Sequence, residues 1–239
     1  MRAPGAIAEV AELDFALEPS AWSFPATHRA AIDTHWAELR RRNPALYNGR
    51  VLLLGRRELC RRADRALTLE GGFFEVDFAD FAAWRDFGFP GEPVENCFAM
   101  AALRGAEGAF LLGEMASHTL NAGDVYFPSG TPDMSDVFDG KVDLEASARR
   151  ELLEETGVTA ESAEFRDGWT LVFARGRIAC MKEIALKIPA EEAKASIDAF
   201  LAADPHSELK RMHVIRRLDD VEPGRTPDFV AAYIRAKLA

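Results

Sequence analysis

The stretch Arg150-Glu151-Leu152-Leu153-Glu154-Glu155-Thr156-Gly157-Val158 decides how this chain is interpreted. In a helix, residues three and four apart are neighbours on the surface, so Glu151 lies beside both Glu154 and Glu155. An apolar stripe runs along another side of the same helix, and its members are Leu144, Ala148 and Leu152. One face of the predicted helix therefore carries three carboxylates, and another packs against a core.

The two ends of this helix are also predicted by the sequence. Asp143 is a plausible N-cap, and Gly157 is the residue expected just past the C-terminus, where a left-handed backbone is needed. Like charges four residues apart cost about 0.2–0.5 kcal/mol per pair, and carboxylates in the last turn oppose the helix dipole. We expect a bound cation to offset this repulsion. Oxygen ligands without His or Cys nearby favour Mg²⁺ or Mn²⁺ over zinc.

The stretch resembles the second half of the signature of the Nudix hydrolases, which reads Arg-Glu-aliphatic-any-Glu-Glu-any-Gly-aliphatic. The resemblance implies that Glu151, Glu154 and Glu155 hold a divalent metal ion on a diphosphate and that Arg150 orients these carboxylates. We expect Glu154 and Glu155 to be the primary ligands, with Glu151 as a third ligand or as the catalytic base. The fold that the resemblance implies is α+β, a mixed sheet flanked by helices.

The first half of the signature departs from the family pattern, which places a Gly and then a Glu upstream. Counting back from Arg150 puts Val142 at the position of the Glu and Asp136 at the position of the Gly. Gly130, six positions before Asp136, follows a strand end and resembles the family glycine displaced by an insertion. A nearby carboxylate is then expected to replace the missing Glu. The candidates are Asp133, Asp136, Asp139, Asp143 and Glu145, of which Asp143 is expected to be occupied as the N-cap.

Residues outside the signature are also candidates for contacts to the metal ion or the substrate. Family members often take one more acidic ligand from a later loop or strand, and Glu208, just before the apolar segment Met212–Ile215, is the candidate; a surface glutamate is the alternative. Arg175 and Arg177 lie in a predicted hairpin turn. They are either solvated charges or contacts to a substrate phosphate. Six aromatic residues are expected in the core and not in substrate binding: Trp36, Phe73, Phe74, Phe78, Phe81 and Trp84.

Composition narrows the class of protein. The 239 residues are 48% hydrophobic, enough for a packed core, and the net charge of −10 argues against broad binding of nucleic acid. Three cysteines, Cys60, Cys97 and Cys180, show no paired spacing that would indicate disulfides or a thiolate metal site. No apolar run is long enough for a membrane span, so a cytoplasmic protein without membrane contact is expected. A homodimer is possible for this family.

A Gly/Pro cluster at 87–93 divides the chain into an N-terminal α/β extension, 1–93, and a Nudix domain, 94–239. The extension is predicted to hold a helix over 27–42 and a strand over 51–54. The domain is predicted to hold strands near 97–103, 109–112, 125–127, 164–173 and 178–188, the acidic helix, and helices over 189–201 and 227–238.

The extension carries a second, weaker resemblance. Asn43-Pro44-Ala45-Leu46-Tyr47-Asn48-Gly49 is similar to a segment of Nudix proteins that hydrolyse UDP-sugars, although the same residues are also ordinary turn formers. UDP-sugars therefore stand beside dinucleotides, nucleoside triphosphates and coenzyme A derivatives as candidate substrates.

The sequence thus predicts an enzyme that uses Mg²⁺, or Mn²⁺, to hydrolyse the diphosphate bond of a nucleoside diphosphate derivative. The alternative is a Nudix-like module that binds a nucleotide, with a regulatory role, but is catalytically impaired. Val142 motivates this alternative, because a valine can neither bind metal nor accept a hydrogen bond.

Overall fold

The structure is a computed structural model that describes residues 5–63, 65–91 and 93–238. In the described residues the elements follow in this order: β1 (Ile7–Val10), β2 (Glu12–Leu17), α1 (Phe24–Arg42), β3 (Arg50–Arg61), β4 (Leu67–Asp77), α2 (Phe78–Asp86), β5 (Asn96–Arg104), β6 (Phe110–Met115), β7 (Val125–Tyr126), a 3₁₀ turn (Met134–Asp136), β8 (Val137–Phe138), β9 (Lys141–Val142), α3 (Leu144–Thr156), β10 (Ala163–Phe165), β11 (Trp169–Ala174), β12 (Arg177–Leu186), α4 (Ala190–Ala203), β13 (Leu209–Ile215), a second 3₁₀ turn (Leu218–Asp220) and α5 (Asp228–Leu238).

The larger of two sheets has eight strands. Its main order is β1-β11-β12-β5-β6-β13, and β10 and β7 pair with β12 and β6. The pairing of β12 with β5 is parallel, whereas the other pairings are antiparallel, so the sheet is mixed. The apolar runs of β5 and β6 are almost entirely buried because both faces of this sheet are covered.

The smaller sheet has five strands in the order β3-β4-β2-β9-β8. Here β2 and β4 are parallel, and the other pairs are antiparallel. Helices α1 and α2 pack beside β3 and β4 in an aromatic cluster that includes Phe24, Phe74, Phe81 and Trp84. The mixed α+β class that the sequence predicts is confirmed.

An apolar core joins the two sheets. It contains Phe15, Leu52 and Leu69 from the smaller sheet and Cys97, Ala99, Leu171 and Cys180 from the larger one, together with Leu144 and Ala148 of α3. Val142 belongs to the same core and is 5% exposed. A second core lies among the larger sheet, α4 and α5, with Leu152 as its contribution from α3. The apolar stripe of α3 thus contacts both cores and fixes the rotation of the helix.

Helix α3 begins and ends where the sequence predicts. The Asp143 carboxylate accepts hydrogen bonds from the N–H groups of Glu145 and Ala146, both at 2.9 Å. Gly157 has a φ of 69° at the C-terminal end, the left-handed conformation that favours glycine.

Other predicted elements need correction. The strand predicted over 164–173 is two strands, β10 and β11, separated near Gly168, whose φ is 73°. The strand predicted over 51–54 extends to Arg61. The sequence prediction also lacked β1, β2, β4 and α2.

Strands from both sides of the division at residue 93 pair with each other. Strand β1 lies along β11, with Ile7 opposite Val172, and β2 pairs with β9. Residues 1–4, Asp64, Glu92 and Ala239, which belong to the two predicted segments, lie outside the described residues. The division itself stays a prediction.

In the part of the chain that the structure describes, no helix has the length and apolar character needed to cross a membrane.

Candidate active site

The acidic face of α3 is organised around Arg150. Its Nη1 group donates to Glu151 Oε1 at 2.8 Å and lies 3.4 Å from Glu154 Oε2. Both contacts depend on helical geometry, because Glu154 lies one turn beyond Arg150. The Glu154 side chain is 60% exposed, whereas Glu151 is largely buried. The orienting role expected of Arg150 is therefore compatible with its observed contacts.

Asp136 completes the environment of Arg150 from outside the helix. Both of its carboxylate oxygens accept from Arg150 Nη2, at 3.1 and 3.2 Å. Its Oδ2 also accepts from the Asp133 backbone N–H at 3.1 Å, and the residue is 1% exposed. A 3₁₀ turn over Met134–Asp136 carries the side chain to this position. Asp136, one of the candidates to replace the missing Glu, thus forms an ion pair with Arg150.

The other acidic candidates serve elsewhere. Asp133 caps the 3₁₀ turn by accepting from Ser135, and Asp143 caps α3. Glu145 forms ion pairs with Lys182 at 2.8 Å and with Arg149 at 2.7 Å. Asp139 is exposed, with a φ of 49° in the turn between β8 and β9.

Gly130 lies directly against Glu151. A Cβ atom placed on Gly130 would meet Glu151 Oε1 at 2.2 Å, far inside van der Waals contact. With the Glu151 carboxylate in this position, residue 130 has no room for a side chain. This contact supports the interpretation of Gly130 as the displaced glycine of the signature.

The buried carboxylates are electrostatically unfavourable without a cation. Burial raises the pKa of Glu151 to about 7, against the opposing effect of Arg150 and with added repulsion from Glu154. Burial raises the pKa of Glu155 well above its usual range, and Glu151 and Glu208 add to the effect. Glu155 is 6% exposed, and its Oε2 has no hydrogen-bond partner among the residues that the structure describes. A hydrogen bond with the backbone of Ser129 favours the charged form of this carboxylate.

Glu208 approaches this group from another part of the chain. It lies immediately before β13, and its backbone carbonyl accepts from the Ala116 N–H at 2.8 Å. Its side chain is exposed, and its charge contributes to the raised pKa values of Glu151 and Glu155. The structure therefore brings Glu151, Glu154, Glu155 and Glu208 within electrostatic range of one another.

The acidic group fits a hard divalent cation in its chemistry. In the described ranges 5–63, 65–91 and 93–238, no three His, Cys, Asp or Glu side chains are already gathered as a complete metal site. The donors are nevertheless all carboxylate oxygens, which Mg²⁺ and Mn²⁺ prefer. Within the described residues, Glu155 Oε2 is a hydrogen-bond acceptor without a donor. The negative charges of Glu151 and Glu208 also repel the Glu155 carboxylate. A cation bound there would satisfy the buried oxygen and would also offset the repulsion between the carboxylates.

A cavity of about 860 Å³ opens beside the acidic face. Ser129, Gly130 and Glu208 line one part of it, next to the carboxylates. Asn43, Ala45 and Leu46, from the segment that is similar to UDP-sugar hydrolases, line another. Both sides of the division at residue 93 therefore contribute walls.

Sequence reasoning missed several of the lining residues. Phe78 and Phe81 were expected in the core, yet both also face the cavity. Arg85 and Asn96 were not considered, because an isolated Arg or Asn has no spacing that marks it as functional. Arg177 lines the cavity, whereas Arg175 beside it is exposed at the hairpin turn.

Comparisons with known proteins give likenesses to solved structures alone. No protein-family model matches the chain, and no curated protein matches it either. The Nudix hydrolase RenU from M. smegmatis shares 17% identity with a TM-score of 0.39, over 59% of this chain and 81% of its own. The MutT protein from Methanosarcina mazei Go1 shares 17% identity with a TM-score of 0.41, over 60% of this chain and 94% of its own.

An Ap4A hydrolase from C. elegans is similar at 17% identity and a TM-score of 0.38, over 58% of this chain and 89% of its own. These likenesses are distant, and the function of this chain is therefore argued from its own side chains.

Proposed function

We propose that this protein is a Mg²⁺-dependent hydrolase that cleaves the diphosphate bond of a nucleoside diphosphate derivative. The observation that carries the proposal is the group of four carboxylates beside a large cavity, in which the buried Glu155 Oε2 has no hydrogen-bond partner within the described part of the chain. The resemblance of the 150–158 stretch to the Nudix signature supports the same chemistry. Mn²⁺ is the alternative ion, since it accepts the same oxygen ligands.

Glu154, Glu155 and Glu208 would hold the metal ion, with Glu151 as a further ligand or as the base. When bound, such an ion neutralises charge on the two phosphates and lowers the pKa of an attacking water. Arg150 holds Glu151 and Glu154 in orientation, and Asp136 in turn holds Arg150.

Glu151 is suited to accept a proton from water at one of its carboxylate oxygens. Without metal, burial raises its pKa to about 7, and a cation held by the neighbouring carboxylates would favour its charged form, which can accept a proton. The ion pair with Arg150 Nη1 orients this carboxylate toward Gly130, where the glycine leaves room for it.

The cavity fits a small nucleotide better than a polymer. Ligand pockets commonly measure about 300–1,000 Å³, and the cavity here lies in the upper part of that range at about 860 Å³. Apolar and aromatic walls, among them Leu46, Phe81 and Phe98, suit the non-reacting part of such a substrate. UDP-sugars remain one candidate among dinucleotides, nucleoside triphosphates and coenzyme A derivatives.

A survey of diphosphate substrates with Mg²⁺ and with Mn²⁺, scored by release of a monophosphate, tests the proposal. We expect metal-dependent release from at least one class, and a fall of about a hundredfold or more in Glu154→Gln, because a charged ligand is lost. Glu161→Gln, an exposed glutamate beyond the end of α3, is the matched control and should retain wild-type turnover.

The catalytically impaired binding module is the competing hypothesis, and the same survey decides it. Val142 motivated it, but Val142 is packed in the core between the sheets, and Asp136 makes the ion pair with Arg150 instead. Nucleotide binding without release of any monophosphate would favour the module.

A further inference from the structure

We propose that Asn96 and Arg177 form a subsite, at the end of the cavity away from the carboxylates, that recognises a nucleobase bearing a ring carbonyl. This inference rests on the proposed function, since it concerns the non-reacting end of the same substrate. The residues that carry it lie on two neighbouring strands. Arg177 was expected at most to contact a substrate phosphate, and Asn96 was not part of the expected site.

The two residues are neighbours across β5 and β12. These strands pair in parallel, and Arg177 lies opposite Asn96 in the register. Asn96, Phe98 and Met100 alternate along β5, and all three line the cavity. Side chains two residues apart point to the same face of a strand, so this row forms one wall.

The row runs from the subsite toward the carboxylates. The Ala101 N–H donates to the Pro128 carbonyl at 2.9 Å, which places this part of β5 beside the turn that contains Gly130. From Asn96 to Ala101 an extended strand covers about 16 Å. A nucleoside therefore has room to lie between the diphosphate end and the Asn96 end.

Arg177 offers unused hydrogen-bond donors to the cavity. In the part of the chain that the structure describes, its guanidinium makes no ion pair and no hydrogen bond, although it lies 4.8 Å from the centre of the Phe89 ring. Burial lowers the pKa of Arg177, and Arg85 nearby adds to the effect. A guanidinium can only donate, so a ligand carbonyl or anion would satisfy it.

The other polar groups at this cavity favour a base over a phosphate. Asn96 and Thr226 line the cavity, and Asn96 Oδ1 and Thr226 Oγ1 are buried with no hydrogen-bond partner in the described ranges. Asp124 also lines the cavity, and its charge interacts with Arg177. A phosphate offers acceptors almost exclusively and would be repelled by Asp124. A nucleobase presents donors beside acceptors on one edge, which matches an amide, a hydroxyl, a carboxylate and a guanidinium together.

The walls support the same conclusion. Phe98 lies in the row on β5, and Phe81 faces the cavity from α2. Aromatic side chains stack on the flat face of a base, and amide or guanidinium groups read its edge. A guanidinium donates two parallel hydrogen bonds, which suit the adjacent O6 and N7 acceptors of guanine or the carbonyls of uracil, whereas adenine places its N6 donor beside its ring acceptors. Uracil and guanine should therefore be preferred to adenine.

Calorimetric titration of the full chain with UMP, GMP, AMP and ribose 5-phosphate tests the subsite. Monophosphates have no diphosphate bond to cleave, and ribose 5-phosphate lacks a base. We expect UMP or GMP to bind about tenfold or more tightly than AMP and ribose 5-phosphate, since leaving a buried polar group unpaired is costly. Equal binding of all four, or no binding of any, would overturn the proposal.

Variants identify the residues responsible for the preference among the bases. Arg177→Gln should remove most of the preference for UMP or GMP, whereas Arg175→Gln, with the same charge change in the same hairpin, should keep it. Arg177→Lys keeps the charge but not the fork of donors, and it should also lose the preference. Melting curves establish that each variant is folded. If both Arg177 variants weaken ribose 5-phosphate as much as UMP, Arg177 binds phosphate, and the proposal is wrong.

The failure of this inference can be told apart from failure of the proposed function. Glu155→Gln should lose hydrolysis but keep the preference among monophosphates, because Glu155 lies beside Ser129, at the carboxylate end of the cavity. A wild-type protein that discriminates among the bases yet hydrolyses nothing would defeat the hydrolase proposal alone.

Discussion

Asp136 is the residue that most changes how the broken signature is interpreted. At the sequence level it is one of several acidic residues in a lengthened loop, and nothing in its spacing separates it from Asp133 or Asp139. In the structure it is buried and binds Arg150 through both oxygens. Which carboxylate of the loop pairs with Arg150 depends on the path of a 3₁₀ turn. This path is a tertiary property that residue spacing does not encode.

Asp136→Asn should weaken both stability and catalysis. Arg150 would lose a buried charge partner, so we expect a loss of about 1–3 kcal/mol in the free energy of unfolding and a fall in turnover of about tenfold or more. Chemical denaturation and the hydrolysis assay measure the two effects.

Asp139→Asn is the matched control, since Asp139 is exposed in the same loop. It should behave as the wild type does. If the two variants were equally active and equally stable, the assigned role of Asp136 would be wrong.

Glu114 predicts a pH dependence of stability that is independent of the acidic face. This buried carboxylate contacts His213 at 3.0 Å, Arg211 at 2.7 Å, Arg225 at 3.2 Å and Lys210 at 3.3 Å. Burial alone would raise its pKa, but these partners lower the pKa to about 2 from the ordinary 4.5. Its contribution is therefore fully present above pH 4.5 and is lost as the pH falls toward 2.

Unfolding free energies of the wild type and Glu114→Gln, measured at several pH values below 6, test this expectation. The difference between the two proteins should shrink by about 1–3 kcal/mol as the pH falls through that window. A difference that stays constant with pH would show that Glu114 keeps an ordinary pKa.

At the scale of elements, local signals predicted α3 well. Its N-cap and its C-terminal glycine act within a few residues, so both ends could be identified from the sequence. Strands β1 and β2 could not, because their stabilising partners are far away in the chain. Ile7, for instance, pairs with Val172, and Ala16 pairs with Lys141. Short strands with distant partners carry little local pattern, and tertiary pairing determines them.

Val142 also shows that a local sequence pattern does not determine where a side chain packs. Counting within the signature assigned it to a catalytic position, but strand β9 turns it into the core between the sheets. A glutamate there would bury an unpaired charge, which is strongly unfavourable. The position therefore requires an apolar residue, and the carboxylate function lies on another element.

The turn that contains Gly130 should tolerate a methyl group structurally but not functionally. In Gly130→Ala the new Cβ would meet Glu151 Oε1, the flexible end of a side chain, so Glu151 can move while the fold is retained. We expect turnover to fall about tenfold or more, because a displaced base or ligand loses its alignment. The melting temperature should change little.

Gly49→Ala provides the comparison, because a Cβ there meets only Tyr47, at 3.4 Å. It should retain full turnover. Unchanged turnover in Gly130→Ala would show that Glu151 is not required at its observed position.

At the scale of the whole molecule, the two segments on either side of residue 93 share a core and a cavity. Strand β1 completes an edge of the larger sheet, and Phe15, Leu52 and Leu69 cover one of its faces. The sequence predicted several helices and strands of each segment but not this packing, because apolar periodicity does not indicate which faces pack together.

A fragment spanning 94–239 should therefore not fold by itself. It would expose the face of the larger sheet that the smaller sheet now covers, and large exposed apolar surfaces lead to association. We expect no cooperative unfolding transition by circular dichroism, whereas the full chain should show one. A soluble fragment with a sharp transition and full hydrolytic activity would show that 94–239 is an independent domain.

Titration of Mn²⁺ into the wild type and into Glu155→Gln by calorimetry tests the central claim most directly, with Glu161→Gln as the control. We predict binding to the wild type and to Glu161→Gln, and affinity weaker by about tenfold or more in Glu155→Gln, because a charged oxygen ligand is replaced by a neutral one. The absence of binding to the wild type at millimolar metal, or an unchanged isotherm in Glu155→Gln, would contradict the assignment of the acidic face of α3 as a metal site.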